Sequence, residues 1–349
     1  MKQSRIFDFV PRTGKARPLG TCSSGYGFVD LFCGIGGASQ GACEAGLTVL
    51  LGVDFCDKLL AIHADNHPEA VHKCGTLPPL DASLLPTRGR WHLHGSPPCT
   101  ILSNLNHGST EEDKDHATGL VRWFLEFSVA SRATSWSMEQ VPSKEVKREV
   151  KTAMQRWPGK VDYCVVDCFQ LGVPQNRKRL FAGTPLLIRK LRSRRVPSRF
   201  VADVIAKPRG THTRLEAFQS SSRRRIDGKI VTQAIIHTHD DLCRPLNVPC
   251  HTVTASNGLR WASPGTQKNS FKMNCDDLKL IQTFPPSYKL KCGTTLGRQG
   301  IGNAVPPAAM RELLRPITEG CWPRPRRRRS EPEAPAAQSS AAQAGSTAA

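Results

Sequence analysis

Short segments of this 349-residue chain hold residues able to do chemistry. The first is the Gly-rich turn Gly34-Ile35-Gly36-Gly37, which follows the apolar run FVDLF (28–32). Asp54 closes the next apolar run. Glycine lets a backbone approach a ligand closely, and a carboxylate at the end of a second strand can accept both hydroxyls of a ribose. Such a turn can also serve only to pack helix on sheet. The Gly-x-Gly-Gly spacing departs from the dinucleotide fingerprint, which argues against a nicotinamide cofactor. The second segment is Gly95-Ser-Pro-Pro-Cys99-Thr. Most cysteines are small buried hydrophobes. A Pro-Pro turn is poor core material, so Cys99 is held on a rigid exposed loop and is a candidate nucleophile. The third is Glu139 in MEQVP, at a strand end where it can face the same crevice; a solvated loop acid is the bland alternative. The fourth is Gln175-Asn-Arg177-Lys-Arg179. Arginines at i and i+2 share one face of an extended segment, so both can reach one ligand, unless this is only a basic edge strand. The fifth, Gly297 to Pro307, reads as a Gly- and Pro-fixed loop opening a helix.

These residues need elements to position them. Strands are expected at 28–32, 48–54, 91–95, 135–141, 161–169 and 179–184. Helices are expected after Gly37, at 55–66, 118–132, 143–157, 276–284 and 306–317. Alternation of this kind implies an α/β domain with a parallel sheet and helices on both faces. The pattern fails over 185–245, which is basic and Ser- and Arg-rich. The expected organisation is a flexible basic N-terminus (1–26), a catalytic and cofactor-binding core (27–188), a short target-recognition region (189–245), a return to the core (246–320) and a disordered Arg/Ala/Ser/Pro tail (321–349).

Composition narrows the partners. Hydrophobic residues make up 39% and charged residues 22%, enough for a substantial core. No stretch of the sequence is long and apolar enough for a membrane span, and the N-terminus lacks the apolar core of a secretory signal. The 13 cysteines are odd in number, scattered and without any Cys-x-x-Cys, which favours a reduced compartment over a disulfide framework or a zinc ribbon. Net charge is +20. Half of that excess lies in 189–229, and a second basic run spans Arg324 to Arg329. Such an excess points to a polyanionic partner, most often nucleic acid.

The blocks, in this order, resemble the cytosine-C5 DNA methyltransferase family. DLFCGIGG (30–37) is similar to its first cofactor motif, SPPCT (96–100) to its Pro-Cys loop, and MEQV (138–141) to its Glu-Asn-Val motif. GVPQNRKRLF (172–181) is similar to its Gln-x-Arg-x-Arg motif. IQTFPPSY (281–288) and RQGIGNAVPP (298–307) resemble its last two motifs. The resemblance covers about 28–318. It implies a Rossmann-like, S-adenosylmethionine-dependent methyltransferase domain with a mostly parallel sheet and a small target-recognition region. It implies that Cys99 adds to C6 of a flipped-out cytosine, that Glu139 engages N3, and that Arg179 with Arg177 holds O2. Cofactor contacts carry over to Phe32, Gly34, Gly36, Gly37, Asp54, Phe55, Asn303, Ala304 and Val305. DNA contacts are expected at Ser103, Gln175, Arg223, Arg224 and Arg225. The methyl donor is S-adenosyl-L-methionine, with no metal, and the partner is double-stranded DNA met by a monomer. The basic run at Arg324–Arg329 would suit the nucleus of a eukaryotic cell, and otherwise the cytoplasm is expected.

Some positions depart from the family pattern. Gly75-Thr76-Leu77 stands where Gly-Asp-Ile is usual, Gln140 where Asn is usual, and Thr100 where Gln is usual. Cys99, Glu139 and Arg179 are spared, which favours an active enzyme. The alternatives are an RNA (tRNA) cytosine-C5 methyltransferase built on the same motifs and a catalytically silent DNA-binding homologue.

Overall fold

The structure is a computed structural model that describes residues 25–98, 110–205, 213–214, 230–231, 234–237, 243–255, 259–261 and 271–319. Cys99, Thr100, Ser103, Arg223, Arg224, Arg225 and the basic run Arg324–Arg329 lie outside the described residues, as do 1–24 and the expected tail.

A seven-stranded sheet organises the chain, in the order β3-β2-β1-β4-β5-β7-β6. Its strands are β1 (Tyr26–Leu31), β2 (Thr48–Asp54), β3 (Val71–Cys74), β4 (Arg90–Gly95), β5 (Ser135–Gln140), β6 (Asp162–Asp167) and β7 (Lys178–Gly183). The first five are parallel. β7 runs antiparallel to both β5 and β6. That reversal modifies the parallel sheet expected from the alternation. β6 and β7 are joined by a short connection with no crossover helix, so the chain turns straight back. The strand order reverses between β1 and β4, and a crevice opens beyond the carboxyl ends of those strands.

Helices cover both faces. Phe28 on β1 and Phe181 on β7 pack with α1 (Gly37–Glu44), α5 (Pro185–Ser193) and α9 (Pro307–Thr318). Val29, Leu31, Leu93 and Met138 pack on the other side with α3 (Glu111–Ala130) and α4 (Lys144–Arg156). A third cluster joins Ile62 of α2 (Asp57–Asn66) and Val201 of α6 (Val201–Val204) to Leu278 of α7 (Cys275–Ile281) and Ile301 of α8 (Thr294–Asn303). Four short strands, at Ala234–His237, Cys243–Pro245, Leu259–Trp261 and Phe271–Lys272, make a separate small sheet.

Two expectations change here. The segment read as a loop at Gly297–Asn303 is helical, as part of α8. Its glycines are there for close approach: a Cβ at Gly300 would lie 2.5 Å from Ile35 Cγ2, and one at Gly302 would lie 2.3 Å from the Ala255 nitrogen. The boundary drawn at 188/189 falls inside α5. Beyond it, Arg192 pairs with Asp162 and Arg194 with buried Glu312, each at 2.8 Å. The first basic residues of the expected recognition region therefore belong to the core.

Candidate active site

The crevice is built from strand ends. β1 delivers the turn Phe32–Gly36. Phe32 adopts φ +59°, Gly34 φ +53° and Gly36 φ +91°, left-handed conformations that cost a side chain energy and glycine almost none. Asp54, the last residue of β2, ties this turn down. Its Oδ2 accepts from the Gly34 N–H at 2.8 Å and its Oδ1 from the Cys56 N–H at 2.9 Å. Burial raises the Asp54 carboxyl above its ordinary value, while those backbone donors pull it back down.

A cleft of about 460 Å³ opens beside the turn. It is lined by Phe32, Asp54, Phe55, the Gly75–Pro78 segment, Pro98, and His116 and Leu120 of α3. Phe55 is 63% exposed, a large apolar ring offered at the mouth. A Cβ on Gly34 would meet nothing within 4 Å, so space is left where a ligand could approach the backbone. A buried carboxylate, an open glycine backbone and an exposed ring in a cleft of this size suit a nucleoside-like molecule. Gly36 and Gly37 serve differently. A Cβ at Gly36 would crowd the Tyr288 hydroxyl at 2.7 Å, and one at Gly37 the Val305 carbonyl at 2.2 Å. Ala304 and Val305 thus back the turn from behind, and Asn303 is exposed beside them.

β4 and β5 supply the second half. Glu139 is 5% exposed at the end of β5. Arg179 on antiparallel β7 places its Nε 2.8 Å from Glu139 Oε1. The approach lies off the hydrogen-bonding direction, so that oxygen is held by charge and has no aligned donor. Next to it, Gln140 Nε2 donates to the Pro97 carbonyl at 2.9 Å, and its Oε1 accepts from the Val141 N–H. One amide therefore joins the end of β5 to the segment that leads to Cys99. The Gln in place of Asn is accommodated in a fully buried site.

Two expected site residues do something else. Arg177 is 2% exposed, and its guanidinium donates to the carbonyls of Val253, Gly302 and Ala304 at 2.9, 3.0 and 3.1 Å. It does not converge with Arg179; it clamps the later chain onto the core. Gln175 is fully buried. Its amide donates to Gln282 Oε1 at 2.8 Å and to the Ile281 carbonyl, and accepts from the Val253 N–H. With no exposed atom, it is a strut between the core and the later chain and not a surface contact for DNA.

Other residues escaped the sequence reading. His116 lines the cleft because α3 begins at Glu111, seven residues before the expected start, and Leu120, inside the expected helix, lines it too. A capping box between Thr110 and Asp113 marks that start. Asp30 lies buried on β1, accepts from Ser39 Oγ, and is pushed up to about 7 by burial. On α4, Lys144, Lys147, Arg148 and Lys151 follow i, i+3, i+4, i+7 spacing and line a groove with Thr152 and Gln155. This cationic stripe starts just past the end of β5. Away from the cleft, Cys43, His67 and Glu69 bring three potential metal ligands within 4.8 Å of one another.

Comparison with known proteins agrees with this geometry. The C-5 cytosine-specific DNA methylase family matches residues 26–186 and 188–319. Type II methylase M.HgiDII of Herpetosiphon aurantiacus is 28% identical over 348 residues, covering 83% of this chain and 94% of its own. Type II methyltransferase M.HgiDI of the same organism is 24% identical over 293 residues, covering 80% and 89%. Among solved structures, the Dnmt2 methyltransferase of S. pombe shares the fold with a TM-score of 0.58 at 14% identity, covering 84% of this chain and 99% of its own. The sheet with helices on both faces is the Rossmann-like fold of S-adenosylmethionine-dependent methyltransferases. Those curated relatives are bacterial and lend no support to a nuclear address. Among the described residues no helix is long and apolar enough to cross a membrane. The match spans both halves of the crevice, and the chain belongs to the C-5 cytosine-specific DNA methylase family.

Proposed function

We propose that this chain is a DNA (cytosine-5-)-methyltransferase that works through a covalent Cys99 adduct on a flipped-out cytosine. The observation that carries the reading is the buried Glu139–Arg179 pair beside the Gln140–Pro97 bond. Together they put a carboxylate and a guanidinium next to the segment carrying the candidate nucleophile.

C5 of cytosine is a poor nucleophile until a thiolate adds at C6. The Cys99 sulfur forms the S–C6 bond, and the electrons of the C5–C6 double bond move onto C5. Glu139 supports this by hydrogen bonding at N3, and Arg179 by offsetting charge at O2. When bound, S-adenosylmethionine supplies an electrophilic methyl sulfonium for C5; Asp54, Phe55 and the Gly34 backbone are the groups that would hold it. A base then takes the C5 proton, the C5–C6 double bond re-forms, and the S–C6 bond breaks to regenerate the thiolate. A stacked base cannot reach Cys99, so the cytosine must leave the duplex. The α4 stripe, which begins just past the end of β5, offers phosphate contacts. Lys144, Lys147 and Lys151 have no carboxylate partner among the described residues.

The test is transfer of tritium from labelled methyl donor to double-stranded DNA and, separately, to RNA. Label in DNA, lost in Cys99→Ser while cofactor affinity stays, is expected. Label in RNA alone would establish the RNA enzyme instead. No label from protein that still binds both ligands would mark a silent homologue.

A further inference from the structure

The face of β4 and β5 beneath the crevice is polar where a buried sheet is normally aliphatic. His92 and His94 alternate on β4, and Ser135 and Ser137 on β5, with His92 opposite Ser135 and His94 opposite Ser137. All four are buried. Register turns them into one chain. Tyr26 Oη meets Ser135 Oγ at 3.2 Å. Ser135 Oγ meets His92 Nδ1 at 2.8 Å, and His92 Nε2 meets Ser137 Oγ at 2.8 Å. Ser137 Oγ meets His94 Nδ1 at 2.8 Å, and His94 Nε2 meets Ser96 Oγ at 3.0 Å. Phe28 stacks on both rings, at centroid distances of 5.7 and 6.1 Å, and fixes their planes.

Hydrogen counting makes the chain directional. Burial holds both imidazoles neutral, His94 down at about 3. Each neutral ring has one donor and one acceptor, and each serine one hydrogen. Ser137 sits between two ring nitrogens. Accepting from one and donating to the other is the arrangement that leaves neither its hydrogen nor a ring nitrogen without a partner. The same condition passes through each ring, so His92 and His94 carry the same tautomer. The Tyr26 phenol also bonds Thr134: where it donates to Ser135, both rings are Nε2–H and His94 donates to Ser96, and where it accepts from Ser135, both are Nδ1–H and Ser96 donates to His94.

Ser96 follows Gly95, which pairs with Met138, the residue before Glu139 on the neighbouring strand. It is also three residues before Cys99. We propose that His94 is a positioning residue: its bond to Ser96 fixes how the chain leaves β4 toward Cys99, and the Tyr26–Ser135–His92–Ser137 chain fixes the tautomer that makes that bond. The catalytic part of this inference rests on the methyltransferase reading, whereas the positioning of the segment does not.

The experiment uses the full chain in four forms: wild type, Ser96→Ala, Ser96→Thr and His94→Phe. The last keeps a ring against Phe28 but removes both bonds. Nitrogen-15 histidine spectra of wild type are expected to show His92 and His94 in one common tautomer. The alkylation rate of Cys99 with iodoacetamide, followed by mass spectrometry, is expected to shift several-fold in Ser96→Ala and His94→Phe. It should return in Ser96→Thr, which restores the hydroxyl. Single-turnover methyl transfer is expected to fall about tenfold in Ser96→Ala, the scale of one hydrogen bond, with cofactor affinity unchanged. Opposite tautomers in the two rings would overturn the directional chain. Cys99 alkylation at the wild-type rate in folded Ser96→Ala and His94→Phe would overturn the positioning role. Absence of methyl transfer in wild type would instead sink the functional reading, while the spectra and the alkylation rates would still decide this one.

Discussion

Arg179 Nε and Glu139 Oε1 lie 2.8 Å apart across antiparallel β7 and β5, with only 12% and 6% of their side chains exposed. Removing one partner of such a pair leaves a buried charge uncompensated, which costs roughly 3–5 kcal/mol. Arg179→Ala should therefore lower stability by about that much in urea unfolding, as well as abolishing transfer. The double variant Arg179→Ala with Glu139→Gln should regain part of the loss, because no charge is then stranded. Simple additivity of the two single changes would mean that the pair is not coupled.

Asp54→Ala should weaken binding of the methyl donor by roughly 1.5–3 kcal/mol, the scale of a charge-assisted hydrogen bond. It also frees the Gly34 and Cys56 N–H groups that Asp54 now holds. Titration calorimetry measures the affinity, and an unchanged dissociation constant would remove Asp54 from the site.

Asp30 gives a pH signature. Its folded value is raised to about 7 from 3.8. The folded state thus binds this proton more tightly than the unfolded chain. The stability it lends is complete below about pH 4 and is lost as pH rises toward 7. Asp30→Asn, neutral at every pH, should melt higher than wild type at pH 8 by a wider margin than at pH 5. A margin independent of pH would show that Asp30 does not titrate in that window.

The stripe on α4 should show in salt dependence. Replacing Lys144, Lys147 and Lys151 by Ala should reduce the log–log slope of DNA binding against salt by up to about 3 if each neutralises one phosphate. The methylated sequence should stay the same, because phosphate contacts position without specifying bases. An unaltered slope would make α4 a solvated face.

Much of the frame was legible because apolar runs ending in Gly or Pro mark buried strands. The expected bounds of β2 are the observed ones, and those of β1, β4, β5, β6 and β7 agree to within a few residues. β3 carries no such signal, because Val71–Cys74 is a short, largely exposed edge strand without an apolar run. α8 carries three glycines that read as loop, whereas their cause is tertiary: the helix presses against Ile35 and the 254–255 backbone. In the site, Asp54 and Glu139 stand out by residue type at strand ends and Arg179 by its i, i+2 arginine pair, whereas Phe32 and Phe55 follow from the family resemblance alone. For Arg177 the i, i+2 pattern gives a face and not a partner, and its guanidinium turns to three carbonyls from later in the chain; Gln175, expected at DNA from the resemblance, is buried against Gln282. The His–Ser layer was illegible for the opposite reason. WHLHG and SWSMEQ read correctly as strands, but only their register brings donors and acceptors together.

The clamp made by Arg177 has a consequence for biosynthesis. Its partners at Gly302 and Ala304 lie 125 and 127 residues further along. Tyr288 reaches back 253 residues to the Ile35 carbonyl. A ribosome therefore releases the turn of residues 32–37 long before it makes the residues that brace it. The nascent sheet must wait with that turn unbraced, and its contacts of longest sequence separation are the last to form. Binding of the methyl donor by ribosome-attached chains should accordingly appear in one step, once residues near 305 have cleared the exit tunnel.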